Sequence, residues 1–127
     1  MKYKVLVVDD DMLNIKSTSM CLENWGYDVD SATSGDKAIQ KVKQASESYA
    51  VILMDFRMPG KNGAQAAAEI RDINEESIIV MYSGDSSRVA TADAYKIGKV
   101  ADFIDKGTDV EVLREAIENA CRKYEET

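Results

Sequence analysis

Histidine is absent from the 127-residue sequence. That removes Ser-His-Asp and Cys-His catalysis, histidine-ligated zinc, a phosphohistidine carried by this chain and an ordinary histidine pH switch. Cysteine is scarce: Cys21 and Cys121 stand far apart and form no metal-type pair. Each falls in a helical pattern and reads as a reduced, half-buried thiol of a cytoplasmic protein. Long hydrophobic runs are also missing. A stretch such as Ala50 to Met54 is far short of the roughly 20 residues a membrane-spanning helix needs. The start, Met1-Lys2-Tyr3-Lys4, lacks the apolar stretch of a signal peptide. Positive charge is in deficit, with 16 Lys+Arg against 23 Asp+Glu and a net charge of −7. Nucleic-acid binding calls for clustered Lys and Arg, so this balance argues against it. Chemistry here must run on carboxylates, hydroxyls, lysine or a hard metal.

What is present is the composition of a globular domain, 45% hydrophobic and 31% charged. The length predicts one domain over residues 1–127, able to bury roughly two-thirds of its unfolded surface. Short apolar runs alternate with amphipathic stretches. The runs Lys4–Val8, Tyr27–Ala32, Tyr49–Met54, Ser77–Tyr82 and Ala101–Asp105 predict strands. The stretches Met12–Trp25, Gly35–Ala45, Ala64–Ile73, Arg88–Ile97 and Asp109–Tyr124 predict helices. Five β-α units in succession imply a doubly wound α/β fold, a parallel sheet with helices on both faces. Strands one, three and four are continuously apolar and predicted to be interior, whereas strands two and five carry charge and suit the edges. That gives the order 2-1-3-4-5, in which ligands bind beyond the carboxyl ends of the strands.

Punctuation supports the helices. Asp11 and Ser34 are candidate caps of the first two helices, and Thr108-Asp109-Val110-Glu111 has the form of a capping box. Gly26 and Gly98 stand where helices should end. Met12, Ile15, Leu22 and Trp25 read as core, as do the helically spaced Val110, Leu113, Ile117, Ala120 and Tyr124.

The carboxyl edge of the predicted sheet gathers the reactive residues. Strand one runs into Asp9-Asp10-Asp11, strand three into Asp55, strand four into Ser83 and strand five into Lys106. Singly, each has an ordinary explanation as a cap, a turn residue or a solvated charge. Capping does not require several strands to cooperate, so their convergence points to a site. Carboxylates about 4 Å apart repel by roughly 4 kcal/mol at an effective dielectric near 20. Asp9, Asp10 and Asp55 together therefore need cations, which Lys106 and a divalent ion would supply. A small all-oxygen site with open positions suits Mg2+ (or Mn2+). With Ser83 to bond a phosphoryl oxygen, Asp55 is equipped to accept a phosphoryl group.

Val5-Leu6-Val7-Val8-Asp9-Asp10-Asp11, Met54-Asp55-Phe56-Arg57-Met58-Pro59-Gly60, Gly63, Ser83-Gly84 and Asp105-Lys106 together resemble the receiver domain of bacterial two-component response regulators. The resemblance runs essentially the whole chain and implies a flavodoxin-like (βα)5 fold and a phosphorylatable switch. By it, Asp55 is the phosphoacceptor, Asp10 the direct Mg2+ ligand, Asp9 an acidic neighbour acting largely through water, and the backbone carbonyl of Arg57 a third ligand. Ser83 and Lys106 complete the catalytic set. Phe103 is either an ordinary core aromatic or, with Ser83, part of a switch acting on the face of the fourth helix, fifth strand and fifth helix. Arg57 and Asp85 are candidate modulators of the phosphorylated state's lifetime, against the alternative of two solvated loop charges. The phosphodonor implied is a histidine kinase or phosphotransfer protein. The domain is then no conventional enzyme, catalysing only its own phosphorylation and dephosphorylation. Two departures touch strand five: Gly107 stands where receivers usually carry proline, and Gly98 to Lys106 is one residue longer than usual. The Lys106-Gly107 bond is expected to be trans, with Gly107 taking backbone angles closed to other residues.

Other classes fit less well. A haloacid-dehalogenase-type phosphatase also opens with Asp-x-Asp after a strand, but needs an acidic pair after its lysine and usually a cap domain. A binding module with a decayed site would not keep every acidic, hydroxyl and lysine position filled. A flavin carrier would need a Gly/Thr/Ser-rich phosphate loop after strand one.

Overall fold

The computed structural model describes residues 2–126; the expected domain limits, Met1 and Thr127, lie outside the described residues. Five strands, β1 (Lys4–Val8), β2 (Asp28–Ala32), β3 (Val51–Met54), β4 (Ile78–Ser83) and β5 (Asp102–Asp105), alternate with five helices. These are α1 (Met12–Asn24), α2 (Gly35–Gln44), α3 (Gly63–Ile73), α4 (Arg88–Lys96) and α5 (Val110–Glu126). The sheet is parallel, in the order β2-β1-β3-β4-β5. Charge in β2 and β5 and its scarcity in the three interior strands thus reported the sheet's order correctly.

Side chains alternate across the sheet and divide the core in two. Leu6, Val8, Ile52, Met54, Ile79 and Met81 face α2, α3 and α4. Val5, Val7, Val51, Leu53, Val80 and Ile104 face α1 and α5. Burying one such aliphatic side chain stabilises the fold by roughly 1.5–3 kcal/mol. The helices cover the sheet through Ile15 and Leu22 of α1, Ile70 of α3 and Leu113 and Ile117 of α5. No helix among the described residues is long and apolar enough to cross a membrane.

Several boundaries follow from side chains that bond the backbone. Asp11 accepts from the Leu13 N–H and Ser34 from the Lys37 N–H, capping α1 and α2 as expected. Asn62 and Gln65 form a reciprocal capping box, which starts α3 at Gly63, not Ala64. Thr108 does not cap α5: its hydroxyl donates to the Asp105 carbonyl, and Asp109 accepts from the Glu111 N–H instead. Gly26 ends α1 at φ +95°, with Tyr27 N–H bonding back to the Leu22 carbonyl.

Gly98 has another role. Lys99 takes the left-handed conformation after α4, at φ 50°. A Cβ on Gly98 would lie 2.9 Å from the Ala94 carbonyl oxygen and 3.3 Å from Ala64 Cα, so its missing side chain lets α4 close against α3. Gly107 likewise is not at positive φ, contrary to expectation, while the Lys106-Gly107 bond is trans. Met12 is 63% exposed, not core, because it sits at the very start of α1, beyond the end of β1; Val110 is 44% exposed at the start of α5.

Cys21 and Cys121 are both free thiols, the first half-buried and the second buried against the sheet by α5. Burial pushes the Cys121 thiol up to about 11. In a Cys21→Ser variant at pH 8, iodoacetamide should therefore alkylate the native protein roughly two orders of magnitude more slowly than the unfolded chain. Equal rates followed by mass spectrometry would show that the thiol is not shielded.

Candidate functional site

Parallel pairing brings the site residues to one edge. The β1–β3 register pairs Val8 with Met54, so the next residues, Asp9 and Asp55, leave neighbouring strands side by side. The Asp55 N–H donates to the Val8 carbonyl at 2.9 Å and the Asp9 N–H to the Ala32 carbonyl at 3.1 Å, extending the ladder past the last strand residues. Asp10 follows in the loop. Oxygens of Asp9, Asp10 and Asp55 lie within 4.8 Å of one another. Asp9 and Asp55 are buried, and Asp10 is exposed.

Lys106 reaches over from the end of β5. Its Nζ lies 2.5 Å from Asp9 Oδ2 and 3.4 Å from Asp55 Oδ2. The remaining lone pairs are directed by backbone: Asp11 N–H donates to Asp9 Oδ1, and Phe56 N–H to Asp55 Oδ1. Burial raises the Asp55 carboxyl above its ordinary value, with Asp9 adding to this while the Ser83 hydroxyl and Lys106 charge oppose it. Burial works against the Lys106 ammonium, yet its bond to Asp9 and the charge of Asp55 outweigh burial and hold it above its usual value. Asp55 is thus a strained anion and Lys106 a secured cation. An all-oxygen cluster with one exposed member suits a hard divalent ion that retains water and accepts a further oxygen.

The loops complete the frame. Gly63 N–H donates to the Phe56 carbonyl at 2.7 Å, and a Cβ on Gly63 would lie 2.3 Å from the Asp55 carbonyl oxygen. Only glycine permits that approach. Lys61 ties the same loop to Asp36 of α2 at 2.7 Å and Glu69 of α3 at 2.8 Å. Ser83, the last residue of β4, is buried, and its Oγ accepts from the Asp85 N–H at 3.1 Å. Arg57 and Asp85 form an ion pair across the mouth, so the two loop charges do meet; Arg57 is 72% exposed there. The Ser87 backbone, together with Arg57, holds the Asp85 carboxyl below its ordinary value.

Phe103 is half-buried and packs against the core on the α2–α3–α4 face. Sequence reasoning missed two neighbours. Ser86 Oγ donates to Asp105 Oδ2 at 2.6 Å, joining the β4–α4 loop to β5. The Lys106 ammonium stands 5.8 Å from the ring centroid of Tyr82. An aromatic directly before Ser83 was the available signal for the second. Surface hollows of about 350 Å3 between β5 and α5 and 390 Å3 between α2 and α3 lie away from Asp9, Asp10 and Asp55. The site is an open edge.

A family model described as response regulator receiver domain matches residues 5–118. The chain is 32% identical over 126 residues to transcriptional regulatory protein ZraR of Salmonella typhimurium, covering 99% of this chain and 28% of that protein. It is 34% identical over 126 residues to hybrid signal transduction histidine kinase L of Dictyostelium discoideum, covering 95% of this chain and 7% of that one. The chain thus spans about a quarter or less of the length of these relatives. Among solved structures, response regulator TrrA of Thermotoga maritima in complex with Mg2+-BeF has a TM-score of 0.83 at 26% identity, covering 94% of this chain and 99% of that one. A CheY-like receiver domain protein of Methanospirillum hungatei has a TM-score of 0.90 at 23% identity, covering 99% and 98%.

The crowding of carboxylates makes a stability prediction. A carboxyl whose folded-state pKa is raised favours folding only below its unfolded value, and that contribution is lost as pH rises through the raised value. Without divalent ions at pH 7, Asp55→Asn should therefore melt about 2–6 °C above wild type, the gap narrowing toward pH 4. Mg2+ should raise the wild-type melting temperature more than that of the variant. Calorimetry showing a less stable variant at pH 7 would contradict this electrostatic account.

Proposed function

Because the chain belongs to the response regulator receiver domain family, a family of phosphorylatable signalling switches in two-component systems, we propose that Asp55 accepts the phosphoryl group and that residues 1–127 form one receiver domain. The observation that carries this reading is the Lys106 ammonium in contact with both Asp9 and Asp55, within a three-carboxylate cluster. With no histidine among these 127 residues, the donor is a phosphohistidine outside them, on a histidine kinase or phosphotransfer protein. An Asp55 oxygen forms the O–P bond as the N–P bond breaks, its electron pair returning to the donor imidazole. Lys106 neutralises charge gathering on the phosphoryl oxygens, and the Ser83 hydroxyl bonds one of them.

Asp10, Asp9, Asp55 and the Arg57 backbone carbonyl would hold Mg2+ (or Mn2+). When bound, the ion supplies charge stabilisation at the phosphoryl oxygens. This is self-phosphorylation and self-dephosphorylation, not turnover of a separate substrate, and we place the domain in the cytoplasm without a membrane or nucleic-acid partner of its own. A phosphatase reading would need an acidic pair after Lys106. Only Asp109 follows it closely, and its carboxylate accepts from the Glu111 N–H to cap α5.

Drawing Ser83 toward a phosphoryl oxygen would pull on the β4–α4 loop, because Ser83 Oγ accepts from the Asp85 N–H. Phe103, half-buried beside that region, can then shift and alter the α4–β5–α5 face for an output partner. Acetyl phosphate with Mg2+ should add one phosphoryl mass to wild type and none to Asp55→Asn, and amide shifts should extend to Phe103 and α4. A variant that gains the same mass defeats the assignment. Shifts confined to the loop after Asp55 defeat the switch.

The Arg57–Asp85 pair closes over the mouth of the site and limits the approach of a hydrolytic water. As an exposed pair it contributes little to stability, but excluding one water acts directly on the barrier. Arg57→Ala and Asp85→Ala should each speed dephosphorylation, and the double variant should match the faster single. Additive effects would mean no coupling, and three unchanged lifetimes would remove the pair from the mechanism.

A further inference from the structure

Tyr82 occupies a place in the sheet that the phosphoacceptor reading leaves unused. The β3–β4 register pairs Leu53 with Val80 and Met54 with Met81, so Asp55 and Tyr82 come next, side by side. Leu53 and Val80 point to the α1–α5 face, and two residues on, Asp55 and Tyr82 continue that row. Asp9 extends the row on β1, two residues beyond Val7. On the other side Tyr82 pairs with Ile104 of the same face, and Lys106 lies two residues past Ile104. One layer thus reads Asp9, Asp55, Tyr82, with Lys106 beyond it on β5. To touch Asp55 and Asp9, the lysine must cross the strand that carries Tyr82.

It does so over the ring. The ammonium is 5.8 Å from the ring centroid, while reaching Asp9 at 2.5 Å and Asp55 at 3.4 Å. The Lys106 side chain is only 21% exposed, and Tyr82 is half-buried against the α1–α5 core. An aromatic face attracts a cation within about 6 Å, more strongly where water is excluded. An unbranched four-carbon stem has many rotamers, and a flat apolar platform removes most that would carry the charge into solvent.

We propose that Tyr82 is a positioning residue: its ring carries the Lys106 side chain across β4 and holds the ammonium at the Asp9–Asp55 pair. This rests on the reading of Asp55 as acceptor and adds the group that keeps its cation in place. The ring face does the work, not the hydroxyl. Phenylalanine should therefore substitute fully, while leucine, apolar but without the ring's negative face, should not.

The test compares full-length wild type, Tyr82→Phe and Tyr82→Leu. One measurement is the rate of phosphorylation by acetyl phosphate with Mg2+, repeated in a Lys106→Ala background. The other is the 1H–15N ammonium signal of Lys106 without phosphodonor or metal, assigned with Lys106→Arg. Tyr82→Phe should match wild type within about twofold, and Tyr82→Leu should be roughly 3- to 30-fold slower. In the Lys106→Ala background Tyr82→Leu should cost nothing further. The ammonium signal should be sharp in wild type and Tyr82→Phe and lost to water exchange in Tyr82→Leu. The proposal is overturned if the leucine variant keeps wild-type rate and signal, if phenylalanine is as slow as leucine, or if the slowing persists without Lys106. A wild type that gains no phosphoryl group would refute the acceptor reading by itself. The ammonium signals then decide the role of Tyr82, identical signals in all three proteins overturning it.

Discussion

Two buried carboxylates on neighbouring strands share one ammonium, and the rest of the edge is arranged around that imbalance. Asp9 and Asp55 emerge side by side because β1 and β3 are parallel and in register, a placement the apolar core enforces and their mutual repulsion opposes. Lys106, from a strand at the far side of the sheet, relieves part of the repulsion. Backbone N–H groups of Asp11 and Phe56 relieve more by bonding the outer oxygens. What is left is an anionic site short of positive charge, built on rigid strand ends, so the proposed cation and phosphoryl roles would share one electrostatic origin.

The loops connect that centre to the surface by different means. The β3–α3 loop is held by close backbone approach at Gly63 and by Lys61 between two helices. The β4–α4 loop is held largely by bonds in which a side chain takes part: Asp85 to Arg57, Ser86 to Asp105, and the Asp85 N–H to the Ser83 hydroxyl. Contacts between backbones resist displacement, whereas a few exposed polar bonds exchange readily with water. The second loop is therefore the one that a change at Ser83 can move, and it leads directly into α4.

Much of this was legible in the sequence because it follows from short-range rules. Apolar runs and charged edges specify the sheet order, and strand ends list the acids, Ser83 and Lys106. The failures share a cause, since each depends on what lies across the gap. Gly98 follows the end of α4 as its position suggests, but it is Lys99 that turns left-handed, and the missing Cβ is needed for Ala64 of another helix. Thr108 and Asp109 are both competent caps, and the Asp105 carbonyl decides between them by taking the Thr108 hydroxyl. Met12 has the right spacing for the core, yet it stays 63% exposed at the start of α1. Tyr82 looks like one more residue of an interior strand until the register places it beside Asp55 and under Lys106.

The contact between Gly63 and the Asp55 carbonyl has a mechanical meaning. A side chain in that gap could change rotamer and leave Asp55 free to ride up or down; main chain against main chain cannot. The height of Asp55 above the sheet is thus set by the seating of the first turn of α3, which acts as its footing. Force applied to the carboxylate from above is borne by a whole helix, and tilting that helix would in turn raise or lower the carboxylate. Asp55 and the start of α3 are thus coupled at a position where only a hydrogen atom fits.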